Sequence, residues 1–354
     1  MKSVNHEKLE TLIHATYDKK IPLFIWGATG IGKSTVVKKV SQGIAKKKGL
    51  EFSECDIEDG RFGFVDVRVS QLDASDLRGL PKLDGDRTRW LIPSWLPSNP
   101  KGSGIIFFDE LNLAPPMIQA SCYQLILDRK LGDYRLPDGW VVIAAGNRLE
   151  DRANIFEMAS PLANRFIHIE LSVPSSNDWM DWALKNDIDS KIISFLQFKP
   201  SMLFKFDNNS KEKAFPTPRS WEYVSKLIKD VDNENELSML VSAAVGEGVA
   251  LELCAFIKLS KQVDINEILK NPDTAEIPTE ISLKYSLISA LPEHYRKNDK
   301  LLEKIMRLCQ RLEPEFAVLL LRMMKGVGKT KFIDHVSKLK EWDELSKKYA
   351  KFLI

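Results

Sequence analysis

Ile21-Pro22-Leu23-Phe24-Ile25-Trp26-Gly27-Ala28-Thr29-Gly30-Ile31-Gly32-Lys33-Ser34-Thr35 decides the fold of this chain. The stretch from Ile21 to Trp26 is apolar on both faces, the pattern of a strand buried in a parallel sheet. From Gly27 to Ser34 the residues match G-x-x-x-x-G-K-[ST] at every position. Glycines let successive backbone N–H groups turn inward as an anion nest, and a following helix adds the positive end of its dipole. In such a loop Gly27, Ala28, Thr29, Gly30, Ile31 and Gly32 wrap a phosphate chain, and Thr35 completes the nucleotide-binding set. Lys33 reaches the β- and γ-phosphates, and the Ser34 hydroxyl ligates Mg²⁺. A glycine-rich turn that binds nothing is the competing explanation, and the strand–loop–helix context weighs against it. The helix runs from Lys33 to about Lys48 with Val36, Val37, Val40, Ile44 and Ala45 on one stripe. It stops at Lys46-Lys47-Lys48 and Gly49, cations and glycine being favourable at a helix C-terminus.

Outward from this loop, residues 1–20 carry Leu9, Leu12, Ile13 and Tyr17 at helical spacing. Gly63–Ser70, Gly104–Asp109, Trp140–Ala145 and Phe166–Leu171 read as strands, separated by helical stretches such as Met117–Asp128. Strands alternating with helices predict a parallel sheet covered on both faces. Past Val173 strand signals cease, and Asn177–Lys185, Ser190–Gln197, Ser220–Ile228 and Glu236–Leu259 read as helices. The expected fold class is therefore α/β: a P-loop parallel sheet flanked by helices over 1–172, an all-helical lid over 173–265 and a helical C-terminal extension over 266–354. Two short segments interrupt the first domain, Leu83-Asp84-Gly85-Asp86 with an Asp-Gly hairpin signal and Leu131-Gly132-Asp133-Tyr134-Arg135. Gly326-Val327-Gly328-Lys329-Thr330 also ends in G-K-T, but Met323 occupies the first glycine position and a helix precedes it. A helix C-cap turn is expected there instead of a second nucleotide site.

Composition narrows the class. With 354 residues, 44% hydrophobic and 28% charged, the chain is neither disordered nor collagen-like. Lys+Arg 51 against Asp+Glu 49 leaves a net charge of +2, which weighs against a dedicated nucleic-acid binder. Cys55, Cys122, Cys254 and Cys309 are scattered, with no C-x-x-C and no histidine pair at metal spacing, so free thiols in a reducing compartment are expected. No apolar run reaches the ~18 residues of a membrane span, and the N-terminal residues show no apolar signal core. A soluble, cytoplasmic protein with no membrane partner is expected.

The third strand ends in Ile105-Ile106-Phe107-Phe108-Asp109-Glu110. Carboxylates at the carboxyl edge of an α/β sheet stand where ligands bind. Asp109 fits a Mg²⁺ shell, and Glu110 fits the base that orients and deprotonates an attacking water. A strand that simply ends in surface acids is the bland alternative, and the upstream loop makes it the weaker one. Asn147, at the end of the fourth strand, offers an uncharged amide for that water or for the γ-phosphate; it is also a common turn residue. Arg165 opens the fifth strand, where a guanidinium can stabilise transferring phosphoryl oxygens from a neighbouring subunit. Arg219, in Pro216-Thr217-Pro218-Arg219-Ser220, is placed to touch phosphate from the helical region. A surface salt bridge is the competing reading for Arg165, and an ordinary helix-start residue for Arg219.

In this order the residues resemble an AAA+ ATPase: Walker A at Gly27–Ser34, Walker B at Asp109-Glu110, sensor 1 at Asn147, an arginine finger at Arg165 and sensor 2 at Arg219. Ser75-Asp76-Leu77-Arg78-Gly79, Asp109-Glu110-Leu111-Asn112-Leu113-Ala114-Pro115-Pro116 and Leu127-Asp128-Arg129-Lys130-Leu131 look like the MoxR branch. The resemblance covers about residues 20–260. It implies ATP and Mg²⁺ as cofactors, a homo-oligomeric ring, commonly of six, and a remodelled protein partner, with a von Willebrand factor A domain protein as adaptor. In that family the hairpin near Leu83–Arg89 corresponds to the helix-2 insert and Leu131–Leu136 to the pre-sensor-1 hairpin, both facing a pore or partner. Leu113 stands where the family usually has arginine, and Ala144-Ala145-Gly146-Asn147-Arg148 replaces a commoner A-T-Q-N-P. Arg152 is a second candidate for the trans-acting arginine. Two other classes stay open at this point: a nucleic-acid-dependent motor or loader, and a nucleotide-sensing protein that does not hydrolyse.

Overall fold

The computed structural model describes residues 1–54, 60–151, 156–207 and 212–353. The chain divides into two compact units, Met1–Val173 and Pro174–Ile354. The first unit runs β1 (Ser3–Val4), α1 (His6–Lys19), β2 (Leu23–Trp26), α2 (Lys33–Lys47), β3 (Glu51–Ser53), β4 (Arg61–Arg68), α3 (Ala74–Arg78), β5 (Leu80–Asp84), β6 (Arg87–Leu91), β7 (Ser103–Asp109), α4 (Pro116–Asp128), β8 (Lys130–Leu131), β9 (Tyr134–Arg135), β10 (Gly139–Gly146), α5 (Ser160–Ala163) and β11 (Ile167–Leu171). Seven strands make one sheet in the order β1-β11-β2-β10-β7-β4-β3, and every neighbouring pair is parallel. The fold class is the expected one, a P-loop parallel sheet flanked by helices and followed by an all-helical unit.

The central strands are apolar throughout because the sheet is covered on both faces. Leu23, Phe24 and Ile25 of β2 and Ile105, Ile106, Phe107 and Phe108 of β7 are fully buried, each contributing about 1.5–3 kcal/mol of hydrophobic stabilisation. Helix α1 starts at Asn5, whose side chain accepts a hydrogen bond from the Lys8 N–H at 3.1 Å, and it packs on α2. At the end of the sheet where β10 begins, Gly63, Gly104 and Trp140 stand side by side in register on β4, β7 and β10. The Trp140 indole lies across both glycines. A Cβ on Gly63 would fall 2.3 Å from its Cη2, and one on Gly104 would fall 2.5 Å from its Cζ3. Neither glycine has a positive φ; Gly63 answers to the close approach of the ring, and Gly104 to the ring and to the Gly63 carbonyl oxygen, 2.3 Å from where its Cβ would lie. The buried Trp140 Nε1 has no hydrogen-bond partner among the described residues, so apolar packing of the ring holds it there.

Both interruptions are two-stranded hairpins. β5 and β6 close over Gly85-Asp86, with Gly85 at φ 62°, and β8 and β9 over Gly132-Asp133, with Gly132 at φ 56°. A positive φ at the first loop residue matches strand twist in two-residue turns and favours glycine.

The second unit is helical: α6 (Ser176–Lys185), α7 (Ser190–Phe198), α8 (Pro218–Leu227), α9 (Glu234–Val245), α10 (Glu247–Ser260), α11 (Ile265–Lys270), α12 (Ile281–Lys297), α13 (Leu302–Arg311), α14 (Pro314–Val336) and α15 (Lys340–Leu353). One apolar core runs from Trp179 of α6 to Tyr349 of α15. Two expectations are corrected here. Glu236–Leu259 is not one helix, because Gly246 at φ 87° separates α9 from α10. Gly326–Thr330 is not a C-cap turn, because it lies inside α14. A Cβ on Gly326 would approach Leu184 of α6 to 2.7 Å, and one on Gly328 would approach Tyr295 of α12 to 3.0 Å. Close helix packing thus uses both glycines and offsets the ~0.5–1 kcal/mol that a mid-helix glycine costs.

Cys122 and Cys309 are buried and Cys254 is half-buried, all three unpaired; Cys55 lies outside the described residues. Burial pushes the Cys122 and Cys309 thiols up to about 12, well above the usual thiol range. Folded thiols raised in this way stay protonated where the unfolded chain ionises, so their stabilisation is complete below pH 9 and is lost as pH climbs toward 12. Urea unfolding between pH 8 and 11 should show a falling midpoint, less steep in a Cys122→Ala/Cys309→Ala variant; equal slopes would contradict this. Among the described residues no helix is long and apolar enough to cross a membrane.

Candidate functional site

The strand order places β10 between β2 and β7. The carboxyl ends of these three strands therefore bring Gly27, Asn147 and Asp109 to one edge, where open parallel sheets form their binding crevice. In the loop after β2, Gly27, Gly30 and Gly32 adopt φ of 156°, 77° and 95°. A Cβ on Gly27 would meet Ile31 Cδ1 at 2.8 Å and the Leu171 carbonyl at 2.9 Å. Gly32 is the N-cap of α2 and offers no side-chain cap, which leaves first-turn N–H groups of α2 for a ligand. The His6 ring holds the loop from outside, with Nε2 2.8 Å from the Ile31 carbonyl oxygen.

Lys33 Nζ donates to the carbonyls of Gly27 at 2.6 Å and Ala28 at 3.0 Å, and to Asn147 Oδ1 at 3.1 Å. Thr29 Oγ1 lies 3.5 Å from the same Oδ1. The Ser34 hydroxyl donates to Asp109 Oδ2 at 3.0 Å, so two hard oxygen donors stand side by side. Such a pair suits Mg²⁺, which takes one or two protein oxygens and fills its octahedron with water and phosphate. Burial, and next the charge of Asp109, hold the Asp66 carboxyl of β4 above its usual range; a cation at Asp109 would relieve that repulsion. Glu110 sits at φ 56°, a left-handed conformation uncommon outside glycine. There its backbone N–H donates to Asp109 Oδ1 at 3.0 Å, and its Oε2 accepts from the Ser70 hydroxyl at 3.1 Å.

Of the residues singled out in the sequence, the structure brings together Gly27 to Ser34, Asp109, Glu110 and Asn147. Thr35 is exposed on α2 and makes no hydrogen bond to this cluster. Arg165 is exposed between α5 and β11, its backbone N–H donating to the Leu162 carbonyl at 3.1 Å, and it forms no ion pair among the described residues. Arg219 belongs to the second unit, exposed in the first turn of α8 behind a Thr217–Ser220 capping box. A cation there opposes the helix dipole, a local cost that folding of α8 does not require. Arg152 lies outside the described residues.

The sequence reading missed His6, Ser70 and Asn112. Asn112 is buried, and its side chain makes two hydrogen bonds to the main chain of Asn147. Its advance signals are its place in the Asp109–Pro116 motif and a polar residue inside the otherwise apolar Leu111–Ala114 stretch. Arg148, which departs from the commoner motif, has a structural role: it pairs with Asp151 at 2.9 Å and Glu170 at 3.1 Å and so ties the segment after Asn147 to β11.

No protein-family model matches the chain, and no curated protein sequence matches it. Among solved structures the chain is similar to Hsp104 in a closed-state reconstruction with ATPγS and casein, with 16% identity and a TM-score of 0.39 over 72% of this chain and 46% of that one. It is also similar to NtrX from Brucella abortus in complex with ADP, with 14% identity and a TM-score of 0.34 over 98% and 68%. A RuvB variant from Thermotoga maritima gives 12% identity and a TM-score of 0.33 over 80% of each chain. The match spans less than half the length of the Hsp104 chain.

Proposed function

We propose that this chain is a Mg²⁺-dependent ATP hydrolase of the AAA+ type, of the MoxR-like branch, working as a homo-oligomeric ring that remodels a protein partner. One observation carries the reading: Lys33, Ser34, Asp109, Glu110 and Asn147 meet at the carboxyl edge of the sheet, beside the loop of Gly27 to Gly32. Backbone N–H groups of that loop bind the phosphates, and Lys33 exchanges its carbonyl and amide acceptors for β- and γ-phosphate oxygens. Ser34 and Asp109 hold Mg²⁺, which when bound neutralises charge between those phosphates. Glu110 takes a proton from the attacking water while Ser70 steadies its carboxylate. The Asn147 amide orients that water. Arg165 reaches the site of the next subunit, and Arg219 contacts phosphate from the helical lid. The same reading assigns residues 173–265 to the lid and 266–354 to an extension, places the protein in the cytoplasm, sets six subunits in the ring and gives it a von Willebrand factor A domain adaptor. Near-zero net charge favours a protein over a nucleic-acid partner.

Phosphate release by the purified chain should need Mg²⁺ and vanish with EDTA. Arg165→Ala alone should lower turnover on the order of 1,000-fold. Mixing Arg165→Ala with Lys33→Ala subunits should restore part of the activity, because one mixed interface joins an intact loop to an intact arginine. Absence of restoration at every ratio would rule out an arginine acting in trans.

A further inference from the structure

We infer that Asn112 is a positioning residue for hydrolysis, holding the main chain of Asn147 so that its amide stays aimed at the phosphate site; the inference rests on the hydrolase reading above. Asn112 is 1% exposed, in the one-turn 3-10 helix Leu111–Leu113 that directly follows Glu110. Its Nδ2 donates to the Asn147 carbonyl at 2.8 Å, and its Oδ1 accepts from the Asn147 N–H at 3.1 Å. A planar amide, donor and acceptor at once, thereby satisfies both polar groups of one residue's main chain. The sheet cannot supply those bonds. β10 pairs with β7 only as far as Ala144 and with β2 only as far as Gly146, so Asn147 projects beyond the ladder.

Two further contacts point the same way. A Cβ on Gly146 would lie 2.4 Å from Asn112 Oδ1, so the residue before Asn147 lacks a side chain where the amide comes close. The Asn112 carbonyl accepts from the Phe156 N–H at 2.8 Å, at the start of the stretch leading to α5 and Arg165. Asn112 therefore joins three pieces: the turn bearing Glu110, the residue bearing the sensing amide and the segment preceding Arg165. On the other side of Asn147, Oδ1 is 3.1 Å from Lys33 Nζ. A main chain released at Asn147 would let that side chain drift. The phosphates would still bind to the loop and Lys33, but the water would lose its orientation, and misplacement by about 1 Å can cost 100-fold in rate.

The test compares Asn112→Ala, Asn112→Asp, Asn147→Ala and the Asn112→Ala/Asn147→Ala double variant by melting temperature, fluorescent-ATP affinity, kcat and KM. Asn112→Asp keeps the shape and the acceptor but replaces the donor with a charged carboxylate oxygen that repels the Asn147 carbonyl, so it carries the test should the alanine variant not fold. The expected result is affinity and KM within about threefold of wild type and kcat lower on the order of 10- to 100-fold. In the double variant kcat should match Asn147→Ala alone, since Asn112 acts through that residue. Wild-type kcat in a folded Asn112 variant, or single losses that multiply in the double variant, would overturn the inference while leaving the hydrolase reading intact. A wild-type chain that hydrolyses no ATP would overturn both.

Discussion

Glu110→Gln is expected to abolish turnover and leave ATP binding intact. The amide has the size of the carboxylate, tolerates the same φ of 56° and can still accept from the Ser70 hydroxyl through Oε1. The proton-accepting capacity is lost together with the negative charge. A general base contributes about 100- to 10,000-fold, so phosphate release should fall by that range, while ATP affinity stays within about threefold because Glu110 is not placed to hold phosphate. Steady-state phosphate release beside a fluorescent-nucleotide titration separates the two. Turnover at the wild-type rate would remove Glu110 from the base role.

Lys33→Ala is expected to fail one step earlier, at binding. A hydrogen bond to a charged group is worth about 1.5–3 kcal/mol, which converts to a roughly 10- to 150-fold weaker nucleotide. A second loss adds to this, because Lys33 Nζ holds the carbonyls of Gly27 and Ala28 and so helps shape the loop before any phosphate arrives. The same titration, extended to high nucleotide concentration, checks this. Unchanged affinity would mean that phosphates bind elsewhere. Lys33→Arg should not rescue, since a guanidinium is a broad planar fork and these three acceptors converge on one point charge.

Much of the site was readable in advance because its signals are local. β2 and β7 are short apolar runs bounded by glycine or acid, and the residues that follow them are chemically unmistakable. The hairpins were readable from glycine beside aspartate. What stayed hidden depends on partners far away in the chain. Asn112 is 35 residues from Asn147 and Ser70 is 40 from Glu110, and no periodicity encodes either bond. β1 and β3 are two and three residues long and occupy the two edges of the sheet, too short to show alternation. Glycine misled twice in opposite directions. Gly246 breaks a stretch that reads as continuous helix, whereas Gly326 and Gly328, which read as a stop, are carried through α14 by packing against Leu184 and Tyr295.

The tryptophan laid over Gly63 and Gly104 makes these positions answerable to one another. Alanine at Gly63 would collide with the indole unless position 140 shrank at the same time, whereas alanine at Gly104 would also meet the Gly63 carbonyl oxygen at 2.3 Å whatever stands at 140. Position 63 and position 140 should therefore change together or not at all, while position 104 stays glycine in either case. The strands it locks carry Asp109 and Asn147 at their far ends, so hybrids that exchange one member of the trio should lose alignment of the hydrolytic edge before they lose the sheet.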